Sequence, residues 1–272
     1  MCNAVIKIAA VLALVGFVSC NSDKELALQL LEQAKAEISQ RNYHQAVSLL
    51  DSIDKAYSSQ VEVRRQVMNV RPQAIEGMTL REIEKNDSLM AEYQSEYEAL
   101  TPLFMTINDK RLVEPYIVAK NASKSALDKT AIQARITTEG DFYVISSVVG
   151  NALKHTSVSF IADNQTATTS DVAYDGDRNF RSNGSEMITF IDKECDTLGL
   201  FACNNINRPL TLRFNGAKIM TIKMTASDVL TFAQTYKYSQ LVKGIKSEMR
   251  RREFLEQQLS LARDQIARTM VE

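Results

Sequence analysis

Apolar residues change their spacing twice along the chain, and the changes divide it into three parts. Over residues 23–40, Leu28, Leu31, Ala34 and Ile38 recur at the interval of one helix face. Arg41-Asn42 makes a short turn, and residues 43–57 continue with Ala46, Leu50 and Ile53 facing the first helix. Residues 60–100 read as a long helix, with Pro72 expected to kink or break it near Arg71. Beyond Pro72, Ile83, Asn86, Met90, Tyr93, Tyr97 and Leu100 alternate steps of three and four. That is a heptad seam, and its one buried-position Asn can fix register. Residues 227–270 repeat the spacing with Tyr238, Leu241 and Ile245, then Leu255, Leu259, Ala262 and Ile266, behind an N-cap expected at Ser227-Asp228. At about 1.5 Å per residue both helices are roughly 60 Å long if straight. Matched lengths on either side of one segment point to an antiparallel coiled coil.

That segment has the other period. Gly140, Gly150, Gly176, Gly184, Gly199 and Gly216 all fall inside it, while the flanks are nearly free of glycine. Strands are expected at 131–138 and 142–149, at 155–162, at 187–193, and at 210–214 and 218–224 around Asn215-Gly216. Leu210, Leu212 and Phe214 alternate with Thr211 and Arg213, so one face is buried and the other wet. A helical segment is expected over 113–127. The expected fold class is α+β, divided as a leader (1–19), an anchor and helical hairpin (20–58), a long helix (59–100), an antiparallel β domain with its helical lead-in (101–225) and a long C-terminal helix (226–272). Ala34, Tyr43, Ala46, Leu50 and Ile53 resemble one tetratricopeptide hairpin; a generic helical hairpin fits the same residues.

The leader decides the compartment. Ile8 to Val18 is an apolar run preceded by Lys7, too short for a membrane span of about 20 residues. Phe17-Val18-Ser19-Cys20 resembles the lipobox of bacterial lipoproteins, in which the cysteine is lipidated and becomes the new N-terminus. Phe17 stands where Leu is commoner. The resemblance implies lipidation at Cys20, membrane attachment, and an envelope location at the outer membrane, periplasmic or surface-exposed. Cys195 and Cys203 then remain in an oxidising compartment, where they are expected to form a disulfide closing a short β excursion; two buried thiols are the alternative.

The composition excludes more than it identifies. The 272 residues carry 32 Lys+Arg against 33 Asp+Glu, so no surplus of positive charge points to nucleic acid. Two His and no Trp leave little material for a histidine metal site or an indole sugar platform. Asp175, Asp177, Asn179 and Glu186 stand at positions 1, 3, 5 and 12 of an EF-hand-like loop, which makes Ca2+ the one candidate cofactor. Phe180 occupies the position that needs Gly for the sharp turn. His44 and His155 read as surface or edge histidines, and no catalytic residue is assigned. Asp87-Ser88-Leu89 and Asp196-Thr197-Leu198 resemble Bacteroidetes O-glycosylation sites, with Ser88 and Thr197 as acceptors. The whole layout resembles the uncharacterised envelope lipoproteins of that group. It implies a non-enzymatic scaffold or binding protein with an envelope partner, a stalk presenting the β domain. The alternatives are a small-ligand or glycan module on the β domain and, behind it, an unrecognised hydrolase.

Overall fold

In a computed structural model, residues 20–109, 114–122, 127–150 and 152–270 are described. The leader residues 1–19, with Phe17, Val18 and Ser19, lie outside them. The fold is mixed α+β, with antiparallel strands between helical flanks. Among the described residues no helix is long and apolar enough to cross a membrane. The chain divides into two compact units. One takes the chain up to Asn86 together with Arg252 onward, and the other is Asp87–Arg251.

The first unit is helical. Helices α1 (Cys20–Ser39) and α2 (Tyr43–Ala56) form a hairpin. Its core holds Leu31, Ala34, Ala46, Leu50 and Ile53, read from the sequence, together with Ala27, with the expected Leu28 and Ile38 half-buried beside it and Val63, Val67 and Ala74 of α3 (Val61–Leu100) joining it. Pro72 neither ends nor divides α3; it lies buried within it. A proline in a helix interior costs about 3 kcal/mol. Contacts on both sides offset that cost. Val67 and Ala74 are buried in the core, and Arg71 grips Asp51 at 2.5 Å and Asp54 at 2.7 Å across to α2. Gly77 lies under the Tyr43 ring, where a Cβ would come within 2.2 Å. The last helix, α5 (Ala226–Thr269), reaches α3 here through Thr79–Gln258 at 3.1 Å and Glu76–Arg263 at 2.8 Å.

The second unit is built on two antiparallel sheets. Its strands are β1 (Phe104–Ile107), β2 (Tyr116–Ala119), β3 (Ala131–Thr137), β4 (Phe142–Val148), β5 (Ser157–Ala162), β6 (Gln165–Thr168), β7 (Asn179–Ser182), β8 (Ser185–Ile191), β9 (Leu210–Asn215) and β10 (Met220–Met224). The order is β1-β2-β3-β4-β8-β7 in one sheet and β10-β9-β5-β6 in the other. Phe142, Val144, Ile188 and Phe190 of the first sheet share a core with Val158, Phe160, Leu212 and Phe214 of the second and with Val229 and Phe232 of α5. A second cluster stacks Tyr238 of α5 between Tyr97 (5.1 Å) and Phe104 (4.4 Å). Within this unit α3 and α5 also run antiparallel, with Glu96 paired to Lys237 and Tyr93 against Gly244. The seam residues Tyr93, Tyr97, Tyr238 and Leu241 are all buried or half-buried.

Two sequence expectations are corrected here. Residues 116–119 are a strand, not a helix. β-Branched Ile117 and Val118 pair with Met105 and Thr106, and the edge of the sheet overrides the weak helical spacing. Cys195 and Cys203 are free thiols. The stretch between them is not a turn but helix α4 (Asp196–Cys203), which buries Leu198, Gly199 and Ala202. Eight residues of helical rise separate the two cysteines by about 12 Å. A disulfide needs Cα atoms within about 7 Å. Gly199 lets α4 pack closely on the Tyr236 ring, which a Cβ would approach to 2.2 Å.

Candidate functional site

The β body holds two features with chemical content, one buried and one open. The buried one starts from strand register. Glu186 of β8 lies opposite Val148 of β4 and Arg181 of β7, and Ser146 lies two residues along on the same face of β4. Lys154, in the left-handed region at φ 52°, turns its N–H to Glu186 Oε1 at 2.6 Å. The His155 N–H reaches Oε2 at 3.1 Å, and the His155 ring Nδ1 reaches the same oxygen at 2.8 Å. On its other side, His155 Nε2 lies 2.8 Å from Ser146 Oγ. A carboxylate only accepts, so Nδ1 carries the proton, and in the neutral ring Nε2 accepts from the Ser146 hydroxyl. Burial holds the His155 pKa below its ordinary value, against the pull of the Glu186 hydrogen bond. Burial also pushes Glu186 upward, but the donors from His155 and Lys154 outweigh it and hold the carboxyl below its usual range. Arg181 adds charge at 3.9 Å from Oε1.

This is the contact order of a Ser-His-acid relay. Ser146 and His155 are nevertheless 0% exposed and Glu186 only 4%. In this geometry the trio ties β4 and β8 to the entry of β5, Arg181 of β7 joins through the His155 carbonyl, and no substrate carbonyl can reach Oγ. His155 is therefore a core histidine, not the edge histidine expected from its place at a strand start.

Glu186 is thereby taken from the calcium loop. Among the remaining candidates, Asn179 closes the loop on itself. Its Oδ1 accepts from Gly176 N at 3.0 Å and its Nδ2 donates to the Ala173 carbonyl at 2.7 Å. Asp175 Oδ1 accepts from Asp177 N at 3.0 Å. Among the described residues no group of three or more His, Cys, Asp or Glu could hold a metal ion. Phe180 and Tyr174 are exposed, and Arg181 stacks on Tyr174 at 3.9 Å. Tyr143 pairs with Ile191 at the other end of β4 from Val148. Ser88 is exposed on α3, and Thr197 is exposed on α4 with its hydroxyl donating to the Thr168 carbonyl at 3.1 Å. Burial pushes up both thiols, Cys195 and Cys203. Cys20 is the first residue of α1.

The open feature is a cleft of about 360 Å³ between the two sheets. It exists because two strand edges stand apart there. β2 pairs with β3 only at Ile136 and Thr137, which leaves 131–135 as an edge, and β10 is the edge of the other sheet. Ile132, Leu212, Ile222, Met224 and Phe232 supply apolar lining, and the first three turns of α5 close one side. Lys129, Lys223 and Asp228 also line it and are exposed. Asp228 belongs to a reciprocal cap at the start of α5. Its Oδ2 accepts from the Thr225 N–H (2.9 Å) and hydroxyl (2.8 Å), and its own N–H donates to Thr225 Oγ1. The N-cap is thus Thr225 rather than Ser227-Asp228. Nothing in the sequence pointed to this cleft, since its walls are ordinary alternating strands. No family model, no curated protein and no solved structure matches the chain.

Proposed function

We propose that this chain is a lipid-anchored envelope protein that works by binding rather than by catalysis, with the β body as its binding domain. The observation that carries the reading is the inter-sheet cleft, whose volume lies within the range of small-molecule sites, about 300–1,000 Å³. Val18-Ser19-Cys20 supports the anchor, and with it an outer-membrane location facing the periplasm or the cell surface. Two or three acyl chains at about 0.8 kcal/mol per buried CH2 would hold such a protein on the membrane. The tetratricopeptide-like hairpin α1–α2 and the coiled-coil pairing of α3 with α5 are read as the scaffold, open to an envelope protein partner. The burial of Ser146 and His155 supports the non-enzymatic side of the proposal.

Two experiments test it. Alkyne-palmitate labelling in a bacterial host should mark the native chain and not Cys20→Ala; equal labelling of both would refute the anchor. A fragment screen by ligand-observed NMR, with binders mapped by photo-crosslinking, should place hits at Ile132, Ile222 and Phe232. Hits found only elsewhere, or none, would refute the binding site. Labelling of Ser146 by a fluorophosphonate would overturn the non-enzymatic reading.

A further inference from the structure

Within the helical unit, α3 is packed on two opposite faces. Val63, Val67 and Ala74 belong to the core shared with the α1–α2 hairpin. Pro72, Thr79, Ile83 and Asn86 form the other stripe, all buried, and Thr79 meets Gln258 of α5 at 3.1 Å. At about 3.6 residues per turn this second stripe continues toward the start of α3 through Met68 and Val61. There α5 has come to its end. α5 runs antiparallel to α3, with Arg263 paired to Glu76, so Met270, one heptad further, comes level with Asn69 beside Met68. Val61 is 69% exposed, Met68 72% and Met270 78%. The same stripe is buried where α5 covers it and bare where α5 has run out.

The bare stretch lies at the end of the unit where Cys20 stands. The chain reverses between α1 and α2 and again between α2 and α3, so the start of α1 is level with the start of α3. Ala27 and Val63 accordingly share one core. α1 begins at Cys20 itself, with no extended linker between that residue and the helix. From Cys20 to Ala27 is about 10 Å of helix, so a bilayer held by acyl chains at Cys20 would lie within a few turns of Val61 and Met68. Charge does not select another surface there: Arg65 and Arg268 are matched by Glu62 and Asp264, all exposed. We propose that the acylated protein leans on the bilayer through this bare end, with Val61, Met68 and Met270 in the lipid interface. Amphipathic faces are buried about 5–10 Å into that region. The inference rests on acylation at Cys20 and adds a second, apolar contact that fixes the tilt a single tether leaves free.

The test uses the native acylated chain in phosphatidylcholine nanodiscs carrying one protein each, with methionine oxidation by a timed hydrogen peroxide pulse read by mass spectrometry. Met249 of the second unit, 54% exposed, is the reference. Exposure within the protein alone ranks Met68 and Met270 above Met249. In nanodiscs both should instead oxidise at least about fivefold more slowly than Met249. In Val61→Asp this protection should be lost while palmitate labelling persists; Val61 is exposed and opens α3, where an aspartate suits the helix end, so the fold is retained. A benzophenone side chain at position 61 should form adducts with phosphatidylcholine, and one at position 40, in the turn at the other end of the hairpin, should not. Met68 and Met270 oxidising as fast as Met249 overturns the inference, as does protection without a lipid adduct at position 61, which would point to a protein cover. If the chain takes no palmitate, the anchor reading and the inference fall together. If it is acylated and Met68 and Met270 are unprotected, only the inference falls.

Discussion

His155 shows how one residue's environment sets a measurable property of the whole fold. In the folded chain it is neutral, because burial holds its pKa below the ordinary 6.5. The unfolded chain takes up a proton near that ordinary value, before the folded chain does. Stability from His155 is therefore full above about pH 6.5 and declines as pH falls from there toward the folded pKa. Glu186 acts in the same direction over a lower window, since its folded pKa lies below the ordinary 4.5. The melting temperature should thus fall on acidification below about pH 6.5. In His155→Phe the decline between about pH 6.5 and 5 should be flatter; an unchanged profile would show that the ring does not titrate in the way argued. Glu186→Gln places an amide among three donors and should cost about 2–4 kcal/mol in chemical denaturation at pH 7. These residues were individually visible in the sequence, but their assembly was not. Ser146 and Glu186 sit on separate strands and His155 in the loop before β5, and it takes the register of β4 against β8 and the course of that loop to join them. A count of two histidines with no ligand spacing favoured a surface reading, which the positive-φ backbone at Lys154 and its pairing to Glu186 overturned.

Elements were legible where the period was long and opaque where a third partner decided the outcome. The helices read at 23–40, 43–57, 60–100 and 227–270 lie within a few residues of α1, α2, α3 and α5, because each keeps one apolar face over many turns. The strands β6 and β7 are four residues each and carried too few positions to show alternation. The Asn-Gly dipeptide taught a narrower lesson. At Asn183-Gly184 both residues have positive φ and join β7 to β8 in a tight turn that was not expected. At Asn215-Gly216 the expected hairpin forms, but Met220 pairs with Phe214 across a longer loop. Gly216 is needed there for a different reason. A Cβ would come within 2.6 Å of the backbone at Leu153, Lys154 and His155. Gly216→Ala should therefore cost about 1–3 kcal/mol and should disturb the His155 entry; a neutral effect on melting would contradict the close approach. Helix α4 likewise yields a direct check on the cysteines. Alkylation of the unreduced, denatured protein should modify both Cys195 and Cys203, and an intact mass two daltons low would show that they are bridged.

At the scale of the molecule, the chain separates into a helical unit and a β body, and the two carry different parts of the account. The helical unit holds the α1–α2 hairpin, whose interior was read from spacing alone: Leu31, Ala34, Ala46, Leu50 and Ile53 are all fully buried. The β body holds the cleft, which depended on where β2 stops pairing with β3 and on how α5 begins; sequence patterning specifies neither. The central claim is that this cleft is where the protein binds. Methyl-labelled NMR of the full chain in nanodiscs, titrated with the tightest binder from the fragment screen, tests it most directly. Saturable shifts are expected at Ile132, Leu212, Ile222 and Met224, with Ile53 and Leu50 of the helical unit unmoved. Shifts confined to residues outside the cleft, or none at saturating ligand, would contradict it.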